Sequence, residues 1–315
     1  MALTPSEGNK YSRTELDKIV NDWLVKDSRI LELLPFETIL GNSLTYDYVA
    51  TRSGVGFYEV GDTWAESTVV LGQDTVSLKV MGGDADLDEF IRRTRSNIID
   101  VQTTVIEDKV KSLQEFFTDC FFYGTAKDAK SWSGLHQLLT STDYNTVQVG
   151  SGATLAALSI AKLQETIDLI RGFTPRIMVM SKLMRRGINT YLDSVGDKFA
   201  IGRDEFGRMI EKFRNIEIVV DDHIYNDEVI AAGAFSSSAC GTGTTGGTTI
   251  FILSFGPKAV CGVQGTNGIE TKDLGDLETK DARRHRIKWY NGLMFQNLRS
   301  SAKIVGIDAD GTVAA

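Results

Sequence analysis

Lys288-Trp289-Tyr290-Asn291-Gly292-Leu293-Met294-Phe295 runs into Asn297-Leu298-Arg299-Ser300-Ser301-Ala302-Lys303-Ile304-Val305-Gly306-Ile307, two strand-like runs broken at Asn-Leu-Arg-Ser. The first couples bulky aromatics to a Gly turn. The second alternates Ala302, Ile304 and Gly306 against Lys303, Val305 and Ile307, so at least one face of each run needs a core partner. The pattern is structural and nominates no catalytic group.

Working outward, Leu16, Ile19, Val20, Trp23, Leu24, Ile30, Leu31 and Leu34 recur at mostly helical intervals, with Ser12 and Glu15 as a capping box and Pro35 as the stop. That stripe suits a core face or an arm packed on a neighbour. From 43 to 80 the pattern is β: Leu44, Tyr46 and Tyr48 alternate with Thr45, Asp47 and Val49, and 69–80 gives a second run. Between them a glycine-rich excursion, 54–66, carries Phe57, Tyr58 and Trp64. A two-stranded excursion has little core of its own, so these aromatics either fold back on their own domain or need a surface supplied from elsewhere. Asp84-Ala85-Asp86 reads as a helix start, and a long helix follows to Tyr123. Its Ile99, Ile106, Val110, Leu113, Phe117 and Cys120 form one stripe, and from 98 to 122 it would span about 35–40 Å. Gly124 stops it. Helix over 154–171, strand over 176–180, a helix capped by Ser181, then strands over 216–220 and 248–255 describe a compact α/β unit.

Composition narrows the function. A chain of 315 residues exceeds a typical single core and favours two subdomains. No apolar run long enough for a membrane span and no secretory signal are found, so an intracellular protein with no membrane partner is expected. Cys120, Cys240 and Cys261 include no close pair, which argues against a disulfide framework or a zinc site. A net charge of −8 argues against gripping nucleic acid on a broad basic face. Gly241-Thr-Gly-Thr-Thr-Gly246 fits G-x-G-x-x-G, but a β-run follows where a dinucleotide fingerprint needs a helix; a surface loop or hairpin tip is expected. Asp221-Asp222-His223 reads as a charged turn. Arg283-Arg284-His285-Arg286 with Lys288, preceded by Asp273, Asp276, Glu278 and Asp281, suggests intersubunit ion pairs or a solvated strand edge before a phosphate contact. No catalytic, cofactor-binding or metal residues are nominated, and no enzyme activity is expected.

The aromatic-Gly-hydrophobic run at 289–295 with its Asn/Arg/Ser turn and closing strand resembles the C-terminal segment of tailed-bacteriophage major capsid proteins. Phe121-Phe122-Tyr123-Gly124 followed by Ser133-Gly134-Leu135 resembles that family's passage out of its spine helix. Phe213 to Asp222 with a later Gly-Pro strand is similar to its axial domain, so the likeness covers most of residues 40–307. It implies the α+β Hong Kong 97-type capsid fold: an N-terminal arm over 1–42, an extended β loop over 43–82, a peripheral domain with the spine helix over 83–154 and 271–315, and an axial α/β domain over 155–270. It further implies self-assembly through hexamers and pentamers into the icosahedral head of a tailed bacteriophage, assembled in the host bacterial cytoplasm. The shell would enclose double-stranded DNA without sequence-specific binding, with scaffold, portal and decoration proteins as further partners and Phe57, Tyr58 and Trp64 as intersubunit contacts. About forty residues precede the extended loop, so a separate scaffold protein, or none, is expected. Lys79 lies in the loop region, but no motif marks an Asn partner, and no crosslink is predicted. Two alternatives remain: an encapsulin-type shell around cargo enzymes, and a soluble α/β enzyme with a ligand on its Gly-rich loop.

Overall fold

The structure, a computed structural model, describes residues 28–51, 53–90, 101–141, 143–150, 154–196, 200–203, 209–231, 234–239, 246–310 and 313–314. Ser28 caps helix α1 (Arg29–Leu33), its hydroxyl accepting the Leu31 N–H at 3.4 Å. Pro35 cannot extend the helix, and the chain enters strand β1 (Phe36–Ile39). Ile30, Leu31, Leu34 and Phe36 belong to the main core, so the predicted arm is built into the molecule from residue 28 onward. Ser12, Glu15 and the rest of that helical stripe lie outside the described residues.

Strands β2 (Ser43–Thr51) and β3 (Val70–Ser77) pair only with each other, as an antiparallel ribbon. Strand β4 (Lys79–Asp88) follows. Asp84-Ala85-Asp86 lies inside β4 and starts no helix. Ala85 and Leu87 are buried, while Asp84 and Asp86 pair across the strand with Arg286 and Arg284, so alternation outweighs the acidic cap signal. Helix α2 (Val101–Tyr123) is the predicted spine over its described length. Ile106, Val110, Leu113, Phe117 and Cys120 turn one face into the main core, against Phe36, Met81 and Trp289. Gly124 ends it at φ +53°, and a Cβ there would stand 2.0 Å from the backbone nitrogen of Gly134. Only glycine permits that approach, which returns the chain to helix α3 (Leu135–Leu138).

The rest of the chain adds, in order, β5 (Thr146–Gln148), α4 (Ile160–Leu169), β6 (Ile177–Met180), α5 (Lys182–Val195), β7 (Ala200–Arg203), β8 (Met209–Phe213), β9 (Ile216–Val220), β10 (Val229–Ala231), β11 (Ala234–Ala239), β12 (Gly247–Leu253), β13 (Val260–Asp276), β14 (Ala282–Phe295) and β15 (Ala302–Asp308). Two sheets organise the molecule. One has four strands, β1-β13-β14-β4, and the other seven, β5-β15-β12-β6-β9-β8-β7. The long β13–β14 hairpin gives the first sheet its spine-facing surface, with Ile269, Ile287, Trp289 and Leu293 in the main core. The central strands β6 and β12 of the second sheet are buried on both faces. Ile177, Val179, Phe251 and Leu253 point into the main core, whereas Met178, Met180, Ile250 and Ile252 point into a second core with Met184, Ile188 and Leu192 of α5. Strict alternation between two apolar sides is why β6 and β12 read as unbroken hydrophobic runs.

One further expectation changes. The helix expected from 154 begins only at Ile160, because the Ser159 hydroxyl caps it, and Ala156 and Ser159 instead bridge Ile307 and Ala314. The closing strand β15 does not join the sheet of β14. The turn after Phe295 carries it into the seven-stranded sheet, between β12 and β5, while β13 from residue 260 belongs to the four-stranded one. Every residue from Ala302 to Ile307 is buried, Lys303 included, so both faces of that strand are enclosed.

Candidate functional site: the ribbon tip and the buried seam

The base of the ribbon is anchored. Leu44, Tyr46, Val76 and Leu78 pack on Ile39, Cys261, Val263 and Met294, and the Tyr46 hydroxyl donates to the Phe295 carbonyl at 3.0 Å. Burial and the neighbouring Asp74 carboxylate push that phenol above its usual range. Past the strands, the tip has only local bonds among the described residues. Gly54 N–H donates to Ser67 Oγ at 2.8 Å, and Glu59 N–H donates to Asp62 Oδ2 at 2.7 Å. Tyr58 stacks on Trp64 with centroids 4.4 Å apart, its hydroxyl accepting the Ala65 N–H at 3.3 Å. Phe57 nevertheless faces solvent entirely, Trp64 is 76% exposed, and Val55 and Val60 lie open beside them. The stacked pair fixes the shape of the tip while leaving its apolar surface in water. Clustered exposure of this kind marks an interaction surface.

A second polar constellation lies inside, where the end of α2 meets the seven-stranded sheet. Glu228 accepts hydrogen bonds from Tyr123 Oη at 2.7 Å and from Thr249 Oγ1. Tyr123 Oη in turn accepts the Tyr225 N–H at 3.0 Å, and its ring stacks on His136 at 5.0 Å. His136 Nε2 lies 3.3 Å from Glu228 Oε1 without hydrogen-bond alignment, and complete burial lowers its pKa. Lys303 Nζ donates to the His136 carbonyl at 2.8 Å, and burial pushes its pKa down to about 8. Closer to the surface, Asp119 accepts from His223 Nδ1 at 2.7 Å and pairs with Lys127 at 2.6 Å. The Asp119 hydrogen bond raises the His223 pKa, and the His223 and Lys127 contacts hold Asp119 below the carboxylate range despite its burial. These groups tie the end of the spine to the seven-stranded sheet. The sequence placed His136 among unrelated residues and gave no sign of Glu228. The one available signal was a lysine inside the apolar run 302–307.

Residues 240–245, with Cys240 and most of the glycine loop, lie outside the described residues. Strand β11 precedes that stretch and β12 follows it, so a strand does stand before the loop, but no helix opens after it. Asp221-Asp222-His223 is only partly a solvated turn: Asp222 pairs with Lys182, Asp221 is largely enclosed, and His223 is bound to the spine. The basic cluster pairs with acids of its own chain. Arg283 meets Asp273, Arg284 meets Asp86 and Arg286 meets Asp84, across the faces of β13, β14 and β4. His285 beside them is buried. Cys120 and Cys261 are free, and burial raises both thiols, Cys261 to about 12. Among the described residues no helix is long and apolar enough to cross a membrane.

No family model and no curated protein matches this sequence. Solved structures do. A spine helix, a long-hairpin sheet, a second sheet flanked by helices and a projecting ribbon together form the Hong Kong 97-type capsid fold, which these neighbours share. The holo-SrpI encapsulin complex from Synechococcus elongatus PCC 7942 is similar at 13% identity over 90% of this chain and 89% of that one, with a TM-score of 0.69. The capsid of a native GTA particle is similar at 11% identity over 88% and 89%, TM-score 0.63. A structure of Mycobacterium phage Bobi is similar at 12% identity over 89% and 90%, TM-score 0.60.

Proposed function

We propose that this chain is a shell-forming protein, the major capsid protein of a tailed bacteriophage, assembling through hexamers and pentamers around double-stranded DNA. The observation that carries shell formation is the ribbon: a projecting arm whose apolar tip its own domain does not cover. Phe57, Tyr58 and Trp64 would be contacts to a neighbouring subunit. The role is mechanical, without catalysis, the four-stranded sheet with the spine acting as the peripheral unit and the seven-stranded sheet as the axial one. The fold is common to capsids and encapsulins. What supports the phage reading is the resemblance of the C-terminal run and of the passage out of the spine to phage capsid sequences.

Electron microscopy of the chain, expressed with its neighbouring genes, tests the proposal. Rings or closed shells are expected, with nuclease-protected duplex DNA inside after packaging. Shells that co-purify with an enzyme and no DNA would replace the phage reading with the encapsulin one. A monodisperse monomer or dimer at high concentration in several salts would end both. The free subunit, net acidic, is expected to show negligible affinity for duplex DNA at physiological salt.

A further inference from the structure

One row of the seven-stranded sheet runs from the core into a charged hollow. Leu253, Ile177, Glu217 and Lys212 stand opposite one another in turn across β12, β6, β9 and β8, so they share a face. Leu253 and Ile177 lie in the main core, whereas Glu217 and Lys212 line a cavity of about 430 Å³ beyond its edge. Ile210 and Phe255 give the cavity an apolar wall, and Arg176, Arg203 and Asn215 add donors. Its one acid among the described residues is Glu217, and that carboxylate is already taken: Oε1 accepts from Arg29 Nε at 2.9 Å and from Arg29 Nη2 at 2.8 Å. Arg176, Arg203 and Lys212 make no ion pair and no side-chain hydrogen bond among the described residues.

Two local features shape the hollow. At Gly202 a Cβ would stand 2.7 Å from Lys212 Cε, so any side chain there would push the ammonium aside. Arg214 and Asn215 make the two-residue turn between β8 and β9 with φ +48° and +69°, the left-handed pair that such a hairpin demands, and this sets Asn215 in the wall. Three cations face no unclaimed acid there, in a chain whose net charge is −8. Guanidinium forks meet phosphate oxygens in pairs and an ammonium adds a point charge, while the apolar wall strengthens each bond by lowering the local dielectric. We infer that this cavity binds a small phosphate-bearing anion, held by Arg176, Arg203 and Lys212 with the Asn215 amide as a further donor. The site is separate from the ribbon, and the inference goes beyond the shell reading without resting on it.

The test titrates pyrophosphate, without divalent metal, into the full-length unassembled subunit by calorimetry. Saturable binding of one pyrophosphate per subunit, tighter than about 1 mM, is expected. Arg176→Gln with Lys212→Gln should weaken it at least about tenfold at parental circular dichroism, because charge-assisted bonds to phosphate are lost. Gly202→Ala keeps every charge and displaces the Lys212 ammonium, so a smaller loss of about threefold is expected. Lys280→Gln, which removes a charge from the exposed turn between β13 and β14, should leave the affinity at the parental value. No saturable binding, or equal affinity in the parent and the double variant, overturns the site. Citrate bound as tightly as pyrophosphate overturns the phosphate assignment. A duplex oligonucleotide bound more tightly than pyrophosphate overturns the small-ligand assignment in favour of a nucleic-acid backbone. None of these results bears on shell formation, which microscopy decides separately.

Discussion

Phe117, Phe121, Phe122 and Tyr123 at the end of the spine and Phe57, Tyr58 and Trp64 at the tip of the ribbon are the same kinds of residue in opposite surroundings. The spine set is sealed: Phe117 stacks on Trp289 at 4.9 Å and meets Trp132 at 5.6 Å, and Phe122 stacks on Phe251 at 5.3 Å. In the tip, the Tyr58–Trp64 stack is the sole ring contact among the described residues, and Phe57 touches water on every side. Aromatic burial inside one chain stabilises the subunit. Aromatic exposure on an arm is stabilisation held for an encounter with another chain. On the proposed function, one region serves folding and the other assembly.

The sharpest way to break that division is Phe117→Ala. Loss of a fully buried ring from the largest core is expected to cost about 3–5 kcal/mol, read as a large fall in melting temperature of the unassembled subunit. Retention of the parental melting temperature would show that the spine is not the folding centre.

Much of this division was legible in the sequence. The four-three-four-three spacing from Ile106 to Cys120 and the stop at Gly124 specify the spine, because one helical face has to meet the core. The aromatics near Gly54, Gly56 and Gly61 marked the tip, because a hairpin of that length cannot bury them. What escaped was set by pairing at long range. Asp84 and Asp86 look like a helix cap until Arg286 and Arg284 are known to lie opposite. Lys303 looks like the polar side of a strand until β12 and β5 close on both its edges and the His136 carbonyl meets its ammonium inside. Glu228 finds Tyr123 across 105 positions of sequence, beyond any local pattern.

The next largest effect tests the seam. Glu228→Leu leaves the Tyr123 and Thr249 hydroxyls without their acceptor, at about 1–3 kcal/mol for each orphaned buried group. Chemical denaturation of the unassembled subunit checks it, and an unchanged midpoint would mean that the seam is not under tension from those hydroxyls.

A smaller effect appears in the pH dependence of subunit stability. His223 has a raised pKa when folded, facing Asp119, Asp221 and Glu115, with Lys127 on the other side of Asp119. Its contribution is therefore complete below about pH 6.5, the unfolded value, and is lost as pH rises through the folded one. Lys303 has the opposite sign. Folded, it releases its proton near pH 8, while the unfolded chain holds it to about 10.4, so stability attributable to Lys303 rises with pH over that interval. His223→Gln should flatten the decline just above pH 6.5, and Lys303→Met should abolish the alkaline rise. Each change is read by urea midpoints across pH, and parental profiles in both variants would contradict the seam as drawn.

The central claim, that the ribbon tip serves assembly and not folding, is tested most directly by Trp64→Ala, with both subunit melting and shell yield measured on the same preparations. The expected result is a melting temperature of the unassembled subunit within about 0.5 kcal/mol equivalent of the parent, as for an exposed site, together with a severe loss of rings or shells. An interface hot spot of this type contributes about 2 kcal/mol or more per contact, and a shell repeats that contact in every subunit. If Trp64→Ala instead unfolds the subunit as badly as Phe117→Ala does, or leaves shell yield untouched, the division between the two regions is wrong.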